Sequence, residues 1–568
     1  MGFLSSAKAL LLSAPFAIPL ASGLAAMPLQ RNETVQRGNP LSDEFGRYVK
    51  GLMDEWKVPG LSLAVIDGDQ VYAEGYGFSV LPDTPVKPET LFLGGSTTKA
   101  QVGAALAHLI STGDYDTNFS RGWETPISSI IEEDFVLNGE WATSHVTLED
   151  AISHRSGMPG HDFAWIGTSD PSDGNNTRKT NNTSNTNRAT VRSLRHLPLT
   201  AEPRVVFQYC NLMYIALSHV IETVTGSWLG DVLRNVIWQP LGMNSTFLSY
   251  SEARRSGHQI ATGYFWDDEA QEYLAVDTDP VQYSSGAGAI ITNAIDYSKW
   301  VKCLLHETAP FSAATHQDIK TPRTLEITGG ASRSWHVGDY GLGWRIATLH
   351  GKAVYKHNGG TQNFGTNVFW MPEIKFGVVG FANAVDNGNF IKDIITQKLA
   401  EDRLGIAPSE RLDDGQKERK RQLEQDKQNF NNATNILYPS HATNGSSLAV
   451  DYDLFVGTYS NPGYGNYTFA VEDAMPFPGA NSTNQTLQKQ LVATRADLII
   501  PMQMILRHVA GDDWVAYLIP ILGSAAKRSF YAAKFVVGVD GKPTALDITW
   551  QGAVERLSEV ATRFDRVG

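Results

Sequence analysis

Cysteine is scarce in this chain, with only Cys210 and Cys303 among 568 residues. Two cysteines cannot build a disulfide framework or a four-ligand metal site, and the sequence contains no H-E-x-x-H motif. The composition therefore gives no support to a metalloenzyme, and we expect no cofactor. A single disulfide between these two residues and a pair of buried free thiols both stay open.

Basic charge is also in short supply. Lys and Arg total 47 against 60 Asp and Glu, which gives a net charge of −13, and no basic stripe offsets it. Such a field repels phosphate backbones and anionic membrane surfaces, so we expect no nucleic acid partner. The 42% hydrophobic and 19% charged residues are typical of a globular protein. A chain of this length predicts one large domain and a smaller one.

A long apolar run occurs at the N-terminus, from Ala9 to about Ala26, behind the single basic residue Lys8. Two prolines interrupt the run, and it is barely long enough to span a bilayer. We predict a signal peptide over residues 1–26 and a secreted protein without a stable membrane span; a membrane anchor is the alternative. Many Asn-x-Ser/Thr sequons support export and glycosylation. They begin at Asn32, Asn118, Asn175, Asn181, Asn182, Asn244, Asn432, Asn444, Asn466, Asn481 and Asn484.

Helical and strand patterns alternate over residues 40–404, which we predict to be the catalytic domain. Apolar runs and turn signals predict strands near both ends of this region and helices between them. The arrangement predicts an α+β fold with one antiparallel sheet flanked by helices. The predicted strands are 60–67, 71–77, 353–357, 366–371 and 376–382, and the predicted helices are 99–110, 212–224 and 391–402.

Polar segments divide the rest of the chain. Residues 169–187 are rich in Asn, Thr, Ser and Asp and predict a solvated insertion loop. Residues 405–448 predict a linker, whose charge run over 411–427 is interpreted as a solvated stretch or a short exposed helix. Repeated β patterns over 449–568, including an Asp540-Gly541 turn between apolar runs, predict a small β-barrel domain.

A Ser-x-x-Lys pattern carries the first chemical signal. Residues three apart share a helix face, so a lysine amine can reach the serine hydroxyl one turn earlier. The pattern occurs at Ser5, Ser96 and Ser524, and of these Ser96 follows a Gly-Gly turn and opens a long apolar helix. A helix N-terminus favours negative charge developing on the serine, and burial lowers the pKa of a lysine. Ser96 and Lys99 are therefore our candidate nucleophile and base.

Two further motifs follow Ser96 in the same domain. Tyr209-Cys210-Asn211 leads into the predicted helix 212–224, and His357-Asn358-Gly359 follows the predicted strand 353–357. Similar Tyr-x-Asn patterns near Pro462 are interpreted as turns. Gly359 and Gly360 allow a backbone to approach a substrate closely. Cys210 is interpreted as a packed small side chain, with a second nucleophile as the alternative.

The order of these three motifs resembles the serine β-lactamase/penicillin-binding-protein superfamily, closest to class C β-lactamases and their esterase and D-aminopeptidase relatives. Three further stretches, Ile152–Met158, Pro240–Met243 and Tyr340–Trp344, resemble other signatures of that family. The resemblance covers about residues 40–403 and implies a β-lactamase/transpeptidase-like fold. Residues 456–459 resemble the opening of the lipocalin-like barrel that is appended to many such proteins.

The resemblance implies a role for each catalytic residue. Ser96 attacks a carbonyl, Lys99 and Tyr209 share the proton transfers, and Asn211 holds Lys99 and the substrate. Backbone N–H groups of Ser96 and Gly360 form the oxyanion hole.

The third motif departs from the family's Lys-Thr-Gly form. His357 stands where the lysine is expected and is predicted to bind Tyr209 or a substrate carboxylate, with Gly359 and Gly360 alongside. A neutral imidazole grips a carboxylate less firmly than a lysine, which favours esterase, peptidase or acyl-transfer chemistry over lactam hydrolysis. We therefore predict a serine hydrolase that cleaves a small ester, amide or short peptide through a Ser96 acyl-enzyme. An acyltransferase of secondary metabolism and a catalytically silent binding protein are the alternatives.

Overall fold

The computed structural model of this chain describes residues 38–164, 184–268, 270–276, 284–326, 336–361, 363–440, 451–474, 489–521, 528–550 and 561–567. The predicted signal peptide and seven of the sequons, those at Asn32, Asn175, Asn181, Asn182, Asn444, Asn481 and Asn484, lie outside these residues. The remaining four, Asn118, Asn244, Asn432 and Asn466, are exposed. Secretion and glycosylation stay predictions. Among the described residues, no helix combines the length and hydropathy needed to cross a bilayer.

The first part of the chain forms a large antiparallel sheet with helices on both faces, which confirms the predicted fold class. Its strands are β1 (Gly60–Asp67), β2 (Gln70–Val80), β3 (Thr84–Pro85), β4 (Phe92–Leu93), β5 (Gly263–Asp267), β6 (Glu272–Val276), β7 (Ile291–Thr292), β8 (Thr324–Leu325), β9 (His336–Tyr340), β10 (Arg345–Leu349), β11 (Lys352–Gly360), β12 (Gly365–Met371) and β13 (Phe376–Ala382). Nine of them form the main sheet, in the order β3-β2-β1-β13-β12-β11-β10-β9-β8.

The helices cover this sheet and extend to the second domain. They are α1 (Asp43–Trp56), α2 (Thr98–Thr112), α3 (Glu140–His145), α4 (Leu148–Ile152), α5 (Ser184–Ser193), α6 (Asn211–Thr225), α7 (Leu229–Leu233), α8 (Tyr250–Arg255), α9 (Ser285–Gly288), α10 (Ala294–His306), α11 (Ala313–Lys320), α12 (Asp386–Leu404), α13 (Gln416–Asn431) and α14 (Ala433–Leu437). The predicted helices at 99–110, 212–224 and 391–402 correspond to α2, α6 and α12, and the predicted strands are confirmed as well.

Strand β1 shows why its sequence is apolar without alternation from Leu63 to Ile66. Leu63 and Val65 pack with α1 and α12 on one face of the sheet. Ala64 and Ile66 belong to the core on the other face. A strand that is buried on both faces needs a continuous apolar run, and alternation would leave polar groups without water.

The C-terminal part of the chain is a closed barrel, which confirms the predicted β-barrel. Its eight strands are β14 (Gly457–Asn461), β15 (Gly465–Asp473), β16 (Lys489–Arg495), β17 (Met502–Ala510), β18 (Asp513–Pro520), β19 (Ser529–Val537), β20 (Pro543–Thr549) and β21 (Ala561–Val567). The predicted Asp540-Gly541 turn joins β19 to β20, with Gly541 at φ +77°. Residues 40–568 form one compact unit, so the barrel and the sheet domain pack together.

Two polar segments differ from their predicted roles. Within the predicted insertion loop, residues 184–187 begin α5, and the buried Asn187 amide donates to Glu222 and to Ser285 Oγ at 3.2 and 3.1 Å. Within the predicted linker, Phe430 of α13 is buried against the barrel, with its ring 5.2 Å from that of Tyr517. Both expectations rested on polar composition, which does not reveal the few residues that a packed face needs.

Candidate active site

Ser96 lies in a tight turn that leads directly into α2. Gly95, Ser96 and Thr97 form a 3₁₀ turn, in which Gly95 adopts a left-handed conformation with φ +53°. The hydroxyls of Thr97 and Thr98 donate to the carbonyls of Gly94 and Gly95 at 2.9 and 2.7 Å, which fixes the turn. The Ser96 side chain is half-buried and stands at the helix N-terminus, where the helix dipole favours developing negative charge.

Lys99 is completely buried one helical turn later. Its Nζ lies 2.8 Å from Asn211 Oδ1, 2.7 Å from the Ala287 carbonyl oxygen and 3.1 Å from Ser96 Oγ. Burial lowers the pKa of Lys99 well below its usual value, which favours the neutral amine that a general base requires. In that neutral form, two N–H groups would serve Asn211 and Ala287, and the lone pair would be left for the Ser96 hydroxyl.

Tyr209 completes the group around the nucleophile. Its hydroxyl is hydrogen-bonded to Ser96, and its ring lies 4.9 Å from Lys99 Nζ. Burial raises the pKa of Tyr209 to about 12. The structure thus brings together the three predicted catalytic residues, from two helix starts that are more than 100 positions apart.

His154, which sequence reasoning noted only as part of a signature, supports the Tyr209 segment. Its ring packs 4.3 Å from the Tyr209 ring, centroid to centroid. Its Nδ1 accepts the Cys210 backbone N–H at 3.0 Å. Burial lowers the pKa of His154 well below its usual range, so the ring is neutral and keeps this acceptor. The Ile152–Met158 signature therefore fixes the loop that enters α6.

Asn211 connects the lysine to an acidic residue that sequence reasoning missed. Its Nδ2 donates to Asp162 Oδ1 at 3.1 Å, while its Oδ1 accepts from Lys99. The Asp162 side chain is exposed, but the surrounding protein partly desolvates its carboxyl, and this desolvation raises the pKa of Asp162. The hydrogen bond from Asn211 and the charge of Lys99 lower the pKa by less. No motif marks Asp162, although it follows the Ile152–Met158 stretch by four residues.

His357 lies on β11 but not in the predicted orientation. Its Nδ1–H donates to the Asn358 carbonyl at 2.7 Å, and its Nε2 lies 3.1 Å from the Tyr340 hydroxyl. Burial lowers the pKa of His357 well below its usual range, so the ring is neutral and Nε2 accepts from Tyr340. Both ring nitrogens therefore have protein partners, whereas the sequence predicted that His357 would bind Tyr209 or a substrate carboxylate.

Gly359 and Gly360 bring β11 against the nucleophile turn. A Cβ on Gly359 would lie 2.1 Å from the Gly94 carbonyl oxygen, and one on Gly95 would lie 2.7 Å from Gly360 N. The two backbones are therefore in direct contact, with the Gly360 amide beside the Ser96 turn. This placement fits the oxyanion hole that the motif resemblance implies, in which the N–H groups of Ser96 and Gly360 bind the oxyanion.

Gly359→Ala is expected to slow acylation of Ser96 about 10²- to 10³-fold, the usual effect of losing one oxyanion donor. The added methyl group would collide with the Gly94 carbonyl and push β11 away from the nucleophile. The rate of labelling by a fluorophosphonate measures the effect. Gly338→Ala is the matched control: Gly338 ends a second His-x-Gly sequence, which begins at His336 on β9, and a Cβ there meets nothing within 4 Å. Equal rates for the two variants would contradict this role of the glycine contact.

Arg345 is a second residue that sequence reasoning missed. It begins β10, directly after the Tyr340–Trp344 stretch. Its Nε donates to both carboxylate oxygens of the buried Glu326 at 3.0 Å. Its guanidinium carbon lies 5.6 Å from the centroid of the Tyr209 ring. The site thus contains a fixed cation that none of the three motifs includes.

The barrel holds one edge of the site. Tyr464, in the turn between β14 and β15, donates to His161 Nδ1 at 2.6 Å, while His161 Nε2–H donates to the Pro198 carbonyl at 2.9 Å. Burial lowers the pKa of His161 to about 4, which keeps the ring neutral. The ring of Phe163 also packs against Trp550 of the barrel, with centroids 5.3 Å apart. The barrel therefore fixes the short segment that carries Asp162.

The two cysteines are free and buried, so the disulfide alternative is wrong. Burial raises the pKa of the Cys210 thiol to about 12. The thiolate is the reactive form of cysteine, so Cys210 is a poor nucleophile and acts as a packed small side chain. Among the described residues, no group of three or more His, Cys, Asp or Glu side chains is arranged to hold a metal ion.

Comparison with known proteins shows the family and the fold to which this chain is similar. The family model described as Beta-lactamase matches residues 45–401. An unguisins hydrolase from Aspergillus campestris is 34% identical over 525 residues, which cover 92% of this chain and 91% of that protein. The octameric penicillin-binding protein homologue from Pyrococcus abyssi has the same fold, with a TM-score of 0.55 and 19% identity over 92% of this chain and 99% of its own. A D-amino acid amidase from Ochrobactrum anthropi covers 64% of this chain and 100% of its own, with a TM-score of 0.51 and 18% identity.

Proposed function

The chain belongs to the Beta-lactamase family, and from this premise we propose that it is a serine hydrolase that cleaves a small ester or amide through an acyl-enzyme on Ser96. The observation that carries the proposal is the fully buried Lys99, whose pKa is lowered by burial and whose Nζ lies 3.1 Å from Ser96 Oγ. A nucleophile and base within hydrogen-bond distance, with the base held by further groups, form the usual arrangement for covalent catalysis.

The first half of the reaction forms the acyl-enzyme. Ser96 Oγ attacks the substrate carbonyl carbon, and its proton passes to Lys99 Nζ or Tyr209 Oη. The N–H groups of Ser96 and Gly360 bind the oxyanion of the tetrahedral intermediate. The intermediate collapses when the bond to the leaving group breaks, and the departing amine or alcohol takes the stored proton.

The second half releases the acid. A water molecule gives its proton to the same Lys99–Tyr209 pair and attacks the acyl carbon, and the Ser96 oxygen leaves as the hydroxyl. Asn211 keeps Lys99 in place throughout, because its Oδ1 accepts from Nζ at 2.8 Å. The sequence's preference for ester or amide cleavage over lactam hydrolysis is supported by His357, which offers no charge to a substrate carboxylate.

A covalent adduct and a turnover panel test this proposal. The purified full chain is expected to react with a fluorophosphonate, and peptide mass spectrometry is expected to locate the adduct on Ser96. The panel contains nitrocefin, p-nitrophenyl esters, a D-amino-acid anilide and an unguisin, because a 34% identical relative is named as an unguisins hydrolase. Turnover of an ester or amide supports hydrolysis, and a product formed only with an added alcohol or amine identifies an acyltransferase. A chain that forms no adduct with any probe is a binding protein, and the proposal would then be wrong.

A further inference from the structure

A catalytic tyrosine buried in protein needs a nearby positive charge to release its proton. The pKa of Tyr209 is raised to about 12, chiefly by burial, which leaves a very small reactive fraction near neutral pH. The histidine of the third motif supplies no charge, because the His357 ring is neutral and both of its nitrogens are engaged within the protein. Tyr209 can therefore share the proton transfers with Lys99 only if another cation favours its deprotonated form.

We propose that Arg345, on the neighbouring strand β10, is this cation. It supplies the positive charge near Tyr209 that His357 cannot supply. The inference rests on the proposed Ser96 hydrolase and names a residue outside its three motifs. Arg345 acts through Tyr209 and is therefore a positioning residue that sets the charge around the base.

The geometry places the guanidinium against Tyr209 and holds it there. Its central carbon lies 5.6 Å from the Tyr209 ring centroid and 5.8 Å from that of Tyr340, both within the range of cation–π attraction. Glu326 accepts from Arg345 Nε with both oxygens, so the planar group has a defined orientation. Residue 345 is the Cα partner of Tyr340 on β9 and of Lys356 on β11, which anchors its backbone between two strands.

A comparison of the ionisable groups around Tyr209, element by element, favours Arg345 as the cation. Burial lowers the pKa values of Lys99 on α2, His154 after α4 and His357 on β11 well below their usual ranges, which disfavours a positive charge on each of them. Asp162 in the 3₁₀ turn and Glu326 after β8 act on Tyr209 as negative charges and raise its pKa. The remaining ionisable neighbours, Cys210, Tyr214 and Tyr340, have pKa values raised by burial and are neutral. Among the described residues around Tyr209, Arg345 is the group that stays positive.

The effect of Arg345 on Tyr209 has a definite sign. Of the interactions that oppose the effect of burial on the Tyr209 pKa, the charge of Arg345 is the largest, ahead of the hydrogen bond with Ser96. Removing the guanidinium is therefore expected to raise this pKa further and to lower the reactive fraction at every pH. Removing the Glu326 charge is expected to act in the opposite direction.

The pH dependence of acylation tests the proposal in the full chain. Fluorophosphonate labelling rates are measured from pH 6 to 10 for the wild type, Arg345→Gln, Arg345→Lys and Glu326→Gln. Arg345→Gln is expected to react about 10- to 100-fold more slowly at pH 8, with its profile displaced to higher pH by about one to two units, since one pKa unit changes the reactive fraction about tenfold. Arg345→Lys is expected to recover most of the rate. Glu326→Gln is expected to displace the profile to lower pH.

Arg403→Gln is the matched control. Arg403 is also paired with a carboxylate, with its Nε 2.7 Å from Asp67, and its side chain is 27% exposed compared with 26% for Arg345. We expect its profile to coincide with that of the wild type. If the Arg345→Gln profile keeps the wild-type pH dependence, or if Arg345→Gln and Glu326→Gln move it in the same direction, the proposal is wrong. Absence of labelling in the wild type would instead refute the proposed hydrolase itself.

Discussion

Ser96→Ala is expected to remove all covalent labelling by a fluorophosphonate and to lower kcat/KM by about 10⁶-fold, the order of effect known for deletion of a nucleophilic serine. The substitution removes the oxygen that would form the acyl-enzyme. It leaves the surrounding turn intact, because the Thr97 and Thr98 hydroxyls that fix this turn donate to backbone carbonyls and not to Ser96. Thermal unfolding close to that of the wild type would show that the loss is chemical.

The sequence offers a matched control for this substitution. Ser524 begins another Ser-x-x-Lys pattern, with Lys527 in the fourth position. The Ser524→Ala variant is expected to react with the fluorophosphonate, and to turn over substrate, at the same rates as the wild type. Labelling that persists in Ser96→Ala, or that disappears in Ser524→Ala, would place the nucleophile elsewhere in the chain.

Lys99→Met is expected to slow acylation about 10³- to 10⁴-fold, the upper part of the range for a general base. Methionine fills a similar volume but has no lone pair to accept the Ser96 proton. It also leaves Asn211 Oδ1 and the Ala287 carbonyl without the donor that now lies 2.8 and 2.7 Å away. Labelling rates at pH 8 measure the loss, and a rate within tenfold of the wild type would show that Tyr209 alone suffices as the base.

The same substitution has a consequence for stability that depends on pH. The pKa of Lys99 is well below 10.5 in the folded state and close to 10.5 when unfolded, so unfolding takes up a proton between these two values. The unfolded state then binds more protons, and the wild type gains stability as pH rises through this window. We expect the free energy of unfolding of the wild type, relative to Lys99→Met, to increase as the pH rises from the folded-state pKa towards 10.5, by at most about 1.4 kcal/mol per pH unit.

Lys392 separates the chemical effect from the effect of burial. Its side chain is also fully buried, and burial lowers its pKa well below the usual value. Lys392→Met is therefore expected to show the same direction of pH-dependent stability as Lys99→Met. It should keep labelling within a few-fold of the wild type, because Lys392 lies on α12 and does not contact Ser96. A similar loss of labelling in both variants would mean that burial of a lysine, and not its proton transfer, explains the effect.

Features with a local cause were predictable from the sequence. The Gly-Gly turn, the apolar run after it and the three-residue spacing of Ser96 and Lys99 depend on neighbours in the chain, and all appear in the structure as expected. Five strands of the main sheet and the presence of a C-terminal barrel were predictable for the same reason, since apolar runs and turn residues are read along the chain. The ordered motifs also predicted that Tyr209 and Asn211 would join the nucleophile.

Features that depend on distant contacts were not predictable in this way. Asp162 carries no motif, and it enters the site because the barrel residue Tyr464 holds His161 from more than 300 positions away. The polar composition of residues 416–431 did not reveal that Phe430 packs against the barrel. In both cases the decisive partner lies in another domain, and composition or spacing within one segment contains no information about it.

The sequence by itself identified the family and pointed to Ser96 and Lys99 as the candidate nucleophile and base, because spacing on one helix and the order of motifs are properties of the linear chain. The tertiary structure decided the charge of the site. Only packing shows that His357 is enclosed with both nitrogens engaged, while Arg345 lies 5.6 Å from the Tyr209 ring. The physical reason is that burial and neighbouring charges set the protonation of each group, and both depend on which strands and loops meet in space.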